Sequence, residues 1–544
     1  MKSVLKQALS LILVILISII KVNAQETTAE IQGTITNGAA GLAGVSVTAI
    51  HQPTGTKYVT TTRNDGRYNL TNLKIGGPYL IEVSYVGFKK DKIEDVTLLL
   101  GQAYKANFKL VEASNNLQEV VVKSTSQDKI FNNARTGSQE TFNRNQITSL
   151  PTISRSYKDI IKLTPTYNGM SFGGQSSQLN NITIDGANFN NSFGLAGDIG
   201  GQTGQVAVSL DAIEQIQVNI SPFDVRQGGF VGGNVNSVSR SGTNTSIGSV
   251  YQYYKSKDLQ GYEVNAAPYT ITVPKQDFTY DLKGFTVGGA LIKNKLFYFV
   301  NGEQEEKTFP ATTWVAATSS APANGTTISA ANAADLDALA AFLKSKYNYD
   351  PGPYQGYSYA AKSKRLTAKI DWNIDENNTF TLKYSYLKSS SDQPPSNSGS
   401  VGTRQAGATA LPFYGAGYQI NNNANIFIAE LNTKFSNRLS NKLQVGYTAL
   451  RDFRNALSQK EFPMVDILDG TGTISSSKPF TSFGYELYTY GNKLNTDVFQ
   501  FNDILSLYAG NHEITVGTQS SYKKYLNGFS PNYSGTYRFN SLAD

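Results

Sequence analysis

Long stretches in which apolar and polar residues alternate dominate the chain after Thr245 and constrain its fold more than any other feature. Residues 379–386 and 443–449 are two examples, and both are rich in aromatic or branched side chains. Successive side chains on a strand point to opposite faces, so each stretch predicts a β-strand with one apolar and one polar face. Tyrosine-rich segments of about ten such residues are typical of antiparallel strands that cross an outer membrane. A soluble β-sandwich would show the same alternation.

The N-terminus predicts export from the cytoplasm. A basic start at Lys2 and Lys6 precedes an apolar run over residues 9–20, and small residues follow before Gln25. This three-part pattern predicts a cleaved signal peptide over residues 1–24, with an uncleaved anchor as the alternative. The run has about 12 residues, short of the roughly 20 that span a bilayer as a helix. No later segment approaches 18 apolar residues, so any membrane crossing by the mature chain would require a closed sheet.

Composition argues against several functional classes. Only 16% of residues are charged, the net charge is +7, and Lys and Arg are scattered, so we expect no nucleic-acid partner. The chain has no Cys, which excludes disulfides, thiolate zinc sites and a Cys nucleophile. A zinc hydrolase would need both histidines, His51 and His512, which fall in different predicted domains. No serine-hydrolase or phosphate-loop motif is present, so we expect no enzyme, metal or other cofactor.

Residues 25–112 predict a small β-sandwich. Short alternating segments are separated by turn clusters, such as Asn64-Asp65-Gly66. The segment also resembles the immunoglobulin-like carboxypeptidase regulatory-like domain, an accessory fold for which the name implies no peptidase activity. The positions that match its signature are Asn64, Asp65, Gly66, Tyr68, Leu73, Gly77, Tyr79, Val83, Tyr85, Gly87 and Phe88.

A short β-branched strand follows in the predicted linker, residues 113–126. It is either one more strand of a neighbouring sheet or an extended peptide that pairs with the edge of a partner's sheet. The segment resembles the TonB box of energy-coupled outer-membrane receptors, which lies at this place in the chain. The residues that would form this box are Leu117, Gln118, Glu119, Val120, Val121 and Val122.

Residues 127–244 predict a mixed α/β domain rich in Asn, Gln, Ser and Gly. Residues 156–163 predict one short helix, and residues 208–220 predict a short helix that leads into a strand. Three stretches, NNITIDGANFNNSFG, SLDAIEQIQVNISPFDVRQGGFVGGNVNSVSRSGTN and GGALIKNKLFYFVNGEQEE, occur in the order seen in TonB-dependent receptors. The chain therefore resembles this family, in the Oar-like subgroup that carries an N-terminal regulatory-like domain.

The resemblance implies that residues 127–244 form a plug within the lumen of a barrel. Amides and hydroxyls suit such a plug, because they hydrogen-bond to a polar lumen without burying many charges. Four glycines are expected to permit tight turns with positive φ beside the barrel wall: Gly228, Gly229, Gly232 and Gly233. Arg226 and Arg240 either pair with carboxylates or face water.

The predicted architecture is therefore mainly β: an immunoglobulin-like sandwich, a mixed α/β plug and, over residues 245–544, part of an antiparallel transmembrane β-barrel. About nine strands are expected after Thr245, against about 22 in plugged transporters, which indicates a partial barrel. The resemblance implies an outer-membrane receptor of a Gram-negative cell, with its accessory domain in the periplasm. It also implies that TonB powers uptake of an extracellular ligand whose identity the sequence leaves open. An adhesion or structural surface protein, anchored in the outer-membrane lipid, is the alternative.

Overall fold

A computed structural model describes residues 26–113, 120–123, 138–169, 171–220, 222, 224, 226–266, 268–272, 275–510 and 512–544. The predicted signal peptide, residues 1–24, lies outside the described residues.

Residues 26–113 form two small sheets, called here the sandwich. Its strands are β1 (Ala29–Thr36), β2 (Ser46–His51), β3 (Thr56–Thr61), β4 (Arg67–Leu73), β5 (Gly76–Ser84), β6 (Asp91–Leu98), β7 (Ala103–Lys105) and β8 (Phe108–Lys109). One sheet has the order β4-β1-β7, with β8 also paired to β1, and the other contains β3-β2-β5-β6. Alternate apolar residues of both sheets, such as Ile31, Val47 and Ile81, are fully buried and form one core. The predicted sandwich is therefore present.

A ninth strand, β9 (Val120–Lys123), extends the second sheet of the sandwich. It lies at the edge of that sheet and runs parallel to β6. The pairing joins Asp91 to Val120 and Glu94 to Lys123 at its two ends.

Residues 138–244 form a second unit, called here the inner domain. Its elements are β10 (Ser138–Phe142), α1 (Arg144–Ser149), α2 (Tyr157–Ile161), β11 (Asn181–Ile184), β12 (Ala187–Asn188), β13 (Ile213–Ile220) and β14 (Gly233–Ser239). They give a sheet of order β10-β13-β14-β11-β12. Helix α2 matches the prediction for residues 156–163: Ser156 caps it, and the Asp159 side chain completes a capping box.

The remaining chain forms a large sheet and the connections at its ends. The elements are β15 (Ile247–Ser256), β16 (Glu263–Ala266), β17 (Tyr269–Thr272), β18 (Thr279–Ile292), β19 (Leu296–Pro310), β20 (Val315–Ala317), β21 (Ile328–Asn332), α3 (Ala333–Tyr347), β22 (Ser358–Asn373), β23 (Asn378–Gln393), β24 (Tyr418–Lys434), β25 (Leu439–Ala456), β26 (Met464–Leu468), β27 (Pro479–Phe483), β28 (Lys493–Ala509), β29 (His512–Gly528) and β30 (Thr536–Phe539). Nine of them form one sheet in the order β15-β18-β19-β22-β23-β24-β25-β28-β29. Every neighbouring pair is antiparallel.

The polarity of this nine-stranded sheet is the reverse of that in a soluble protein. On β22, Arg365 and Thr367 are buried against the inner domain, whereas Ile370 and Trp372 are 40% and 41% exposed on the opposite face. The same holds along other strands, where the exposed apolar residues include Val250, Phe285, Leu382, Phe427, Val445, Phe499 and Phe501. A continuous apolar outer face is the face that lipid covers in a transmembrane sheet.

The two ends of the sheet differ in the length of their connections. At the end that contacts the sandwich, short turns over residues 293–295, 374–377 and 435–438 join the strands. The opposite end carries long connections over residues 311–357, 394–417 and 457–492. Short turns on one side and long loops on the other are typical of outer-membrane barrels.

The long connections pack together into a folded cap, defined as those three segments with residues 529–544. Strands β26, β27 and β30 form a small sheet there, and Leu336 of α3 packs in a core with Phe413 and Phe483. Arg404 is 1% exposed, and its guanidinium donates to both carboxylate oxygens of Asp466 at 2.7 and 2.9 Å. This bidentate pair fixes the cap from within.

Candidate functional site

The contact between the inner domain and the nine-stranded sheet combines an apolar patch, in which Leu387 and Ile426 of the sheet join the core of the inner domain, with many polar contacts. Thr203 and Ser389 share a hydrogen bond of 2.8 Å, and the Asn422 side chain donates to Gln202 Oε1 at 3.0 Å. Ser363 Oγ donates to Gln205 Oε1 at 3.0 Å. Neutral groups therefore hold much of this interface, which agrees with the amide-rich composition of residues 127–244.

Charges are buried where they meet a partner. Asp185 follows β11, and Lys383 of β23 reaches it with a 2.5 Å ion pair, although the lysine side chain is only 1% exposed. Burial alone would raise the pKa of Asp185, but Lys383, Lys369 and the Ser239 hydroxyl hold it well below its usual range. Gln444 of β25 also donates to the Asp185 backbone oxygen at 2.9 Å. Asp185 therefore anchors the inner domain to two strands of the sheet.

A second buried group joins the inner domain to β19 and β22. The Ser209 hydroxyl donates to Glu303 Oε1 at 2.6 Å, and Arg365 Nε contacts Glu303 Oε2 at 2.9 Å. Arg365 also pairs with Glu305 and donates to the backbone oxygen of Val206 at 3.3 Å. Removing one member of such a buried set would leave another charge without compensation, so the set resists separation.

The sandwich contacts both the inner domain and the turn end of the sheet. Lys74 Nζ lies 3.4 Å from Asp371 Oδ2 of β22, and Asn373 Nδ2 donates to Thr56 Oγ1 at 2.8 Å. Thr27 Oγ1 donates to Glu430 Oε2 of β24 at 2.9 Å. A cavity of about 160 Å³ with both polar and apolar lining residues lies at this junction, between all three parts of the chain.

Sandwich and inner domain are joined by a short row of buried hydrogen bonds. Gln215 Nε2 donates to Leu98 O at 3.0 Å, and the Leu100 amide donates to Gln215 Oε1 at 3.0 Å. Gln217 Nε2 donates to Leu100 O at 2.7 Å. Both glutamines belong to β13 and are at most 1% exposed. Val238 of the inner domain also packs in the core of the sandwich.

The four predicted glycines serve two different purposes. Gly229 has a φ of +81°, so a left-handed turn does occur there. Gly232 and Gly233 lie outside that region of φ, so the expectation of positive φ is wrong for these two residues. A Cβ on Gly232 would stand 2.2 Å from Asn180 Oδ1, and one on Gly233 would stand 2.4 Å from the Phe172 ring. Close packing therefore requires these two glycines. The fourth residue, Gly228, lines a cleft between the inner domain and β28 together with Gly229.

The two arginines differ in their outcome: Arg226 pairs with carboxylates, as one alternative expected, whereas Arg240 contacts a backbone oxygen and an aromatic ring. Arg226 forms ion pairs with Asp224 and with Glu26 at the start of the sandwich. Arg240 donates to the Asp211 backbone oxygen at 3.3 Å. Its guanidinium also lies 5.2 Å from the centre of the Phe299 ring, within cation–π range.

Of the predicted TonB-box residues, Leu117, Gln118 and Glu119 lie outside the described residues. Val120, Val121 and Val122 form β9 together with Lys123, and they pair with Asp91–Ile93 of β6. The first of the two alternatives, a strand of a neighbouring sheet, is therefore present. Whether the same strand binds a partner stays a prediction.

Two further properties of the described part of the chain bear on its chemistry. Within it, no group of three or more His, Cys, Asp or Glu residues is arranged to hold a metal ion. None of the helices described is long and apolar enough to cross a bilayer. His51 is buried in the sandwich and bonds to Thr54 Oγ1 at 2.7 Å, and burial lowers its pKa to about 3.

Comparison with known proteins agrees with this geometry. The model of the outer membrane beta barrel domain family matches residues 238–544, and that of the carboxypeptidase regulatory-like domain matches residues 30–111. The chain belongs to the outer membrane beta barrel domain family. Neither matched family is an enzyme family. The predicted mainly-β fold class and the outer-membrane localisation are thus confirmed for this family member.

Among curated proteins, the chain is similar to the TonB-dependent transporter Oar of Myxococcus xanthus. The two are 23% identical over 269 residues, which cover 47% of this chain and 24% of the relative. With the two family matches, this similarity confirms the resemblance to TonB-dependent receptors that carry a regulatory-like domain.

Similar solved structures include two outer-membrane proteins. The outer membrane transporter YddB from Escherichia coli is 13% identical with a TM-score of 0.48, and the match covers 71% of this chain and 48% of that one. The siderophore receptor PirA from Acinetobacter baumannii is 16% identical with a TM-score of 0.44 and the same coverage. The chain thus spans about half the length of these structures and about a quarter of the curated relative.

Gly233→Ala should destabilise the inner domain by about 1–3 kcal/mol, because the new methyl group would overlap the Phe172 ring. Chemical denaturation of the purified protein, followed by hydrogen exchange in β14, measures the change. Gly261→Ala is a matched control, because nothing lies within 4 Å of a Cβ at that position. Equal midpoints for the two variants would contradict the packing requirement.

The stability of the sandwich in its docked position should fall as the pH rises from about 4.5 to about 7. Burial of Glu30 and repulsion from Glu513 raise the pKa of Glu30 to about 7, while Asn69 donates to its carboxyl at 2.6 Å. A carboxyl with a raised folded-state pKa stabilises the fold below its unfolded pKa, and this contribution is lost as the pH passes the folded value. Glu30→Gln, which stays neutral, should remove this part of the dependence.

Hydrogen exchange in β1 at pH 5 and pH 8 measures this effect. The wild-type protein should lose more protection than Glu30→Gln between the two pH values. Glu82→Gln, at an exposed position of the same sandwich, is the control and should behave as wild type. An identical pH response in all three proteins would show that Glu30 does not control docking.

Proposed function

We propose that this chain is part of a TonB-dependent outer-membrane receptor in which the inner domain is the plug. One observation carries the proposal: a polar domain is held by buried amides and ion pairs against the polar face of a sheet whose other face is apolar. Apolar residues of the sheet such as Leu387 and Ile426 also pack in the core of the inner domain, so these contacts and the buried ion pairs would hold the plug in place until it is pulled.

The difference between the two ends of the sheet supports one direction of transport. The cap with its long connections would face the exterior, and the short-turn end with the sandwich would face the periplasm. A ligand would bind beside the cap and leave past the sandwich. The similarity to Oar, a TonB-dependent transporter, supports a role in transport.

Residues Leu117–Val122 would be the segment that TonB engages. The backbone of a β-branched strand can pair with the edge of a partner sheet, and that pairing gives affinity without any demand on side-chain chemistry. Strand β9 already adopts a paired conformation, with one edge on β6. Its second edge is the one that a partner strand would use.

Val121→Pro should weaken binding of the TonB C-terminal domain to the complete detergent-solubilised protein by about tenfold or more. Proline lacks the backbone donor and disrupts pairing, and the loss of about 1.4 kcal/mol corresponds to a factor of ten. Isothermal calorimetry measures the affinity.

Val121→Ile is the matched control, because it preserves the backbone donor and the β-branched character; it should bind as wild type does. Binding that is unaffected by proline would remove the TonB-box assignment and favour an adhesive or structural surface role.

A further inference from the structure

Strand β9 is held by the sandwich. Its four residues run parallel to residues Asp91–Glu94 of β6, in a register that places Val121 beside Lys92. Strand β6 is itself paired with β5 inside the sandwich sheet. A force applied to β9 would therefore act first on β6.

The far end of β6 leads to the inner domain. Leu98 closes the strand, and its backbone oxygen accepts from Gln215; Leu100, two residues later, exchanges hydrogen bonds with Gln215 and Gln217. These bonds are buried, so water cannot readily replace them. Their partner strand, β13, lies between β10 and β14 in the inner sheet. The contact thus reaches the interior of that sheet.

The sandwich also contacts the wall. Lys74 and Thr27 bind Asp371 and Glu430 of the nine-stranded sheet. A displacement of the sandwich would therefore act on the plug through β13 and would at the same time break its attachments to the wall. Residues 124–137 provide a second, covalent route from β9 to β10.

We propose that the sandwich transmits the pull of TonB to the plug, along the route β9, β6, Leu98–Leu100 and the two glutamines of β13. This inference rests on the proposed function, since it assumes that β9 is the segment that is pulled. A contiguous chain of packed and hydrogen-bonded elements is the physical requirement for such coupling. The accessory domain would then be a mechanical part of the transporter.

The first test asks whether β9 lies on β6 in the outer membrane. The chain has no cysteine, so a pair introduced by Lys92→Cys and Val121→Cys would meet no other thiol within it. This pair should form a disulfide in native membranes. Thr97→Cys with Val121→Cys, which is out of register, is the control and should form at least tenfold less. Equal yields would overturn the proposal.

The second test separates the two routes by force. The complete protein is placed in nanodiscs and carries a clickable amino acid at position 123. Optical tweezers pull on this amino acid while the nanodisc is held fixed. Twenty Gly/Ser residues inserted after position 130 add up to about 70 Å of slack to the covalent route alone. With β9 joined to β6 by the disulfide, the plug should leave the sheet at the same extension with and without the insert. A delay equal to the slack would overturn the proposal.

The glutamine contact is tested in the same protein. In the disulfide-linked protein that carries the insert, Gln215→Ala with Gln217→Ala should delay release of the plug by the length of the slack. Gln175→Ala, at an exposed position of the inner domain, should cause no delay. No effect of the double variant would overturn the proposed route. Because the handle is covalent, TonB takes no part in this measurement. Failure of TonB to bind would refute the proposed function, whereas failure here would refute only the relay.

Discussion

The nine-stranded sheet has an apolar outer face and many polar residues on its inner face, so its two faces need different surroundings. Lipid satisfies the outer face, where side chains such as Trp372 and Phe499 are exposed. The inner face needs a polar filler, because buried amides and charges without partners are costly. The inner domain supplies that filler, and the positions of Asp185, Ser209 and Gln205 follow from the groups they must satisfy on the wall.

The sandwich adds a third layer of polar contacts at the turn end of the sheet. It contributes the cations Lys74 and Arg63 and a set of hydroxyls and amides, while its own apolar core is separate from that of the inner domain except at Val238. Two folded units that share mainly hydrogen bonds can move relative to each other more readily than units that share one core. The arrangement is thus suited to a part that is displaced during a cycle.

Much of the architecture could be predicted from local patterns. Alternation gave the strands of the large sheet, turn clusters gave the sandwich, and Ser156 with Asp159 marked helix α2. Pairings between distant residues could not be predicted, because no local signal joins Asp185 to Lys383 or Gln215 to Leu98. The glycines show the same limit of prediction from local sequence. A run of glycines predicts freedom of the backbone, but only the structure shows which neighbours fill the space beside them: Phe172 beside Gly233, and Asn180 beside Gly232.

The folded cap has a consequence for molecular recognition. Because Arg404 and Asp466 lock its interior, a ligand would meet a surface that is already in place, and little conformational entropy would be lost when it binds. Exposed side chains of the cap could then change during evolution while its scaffold stayed the same. Receptors built on this plan would be expected to diverge in selectivity faster than in shape, much as antibodies vary their loops on a constant framework.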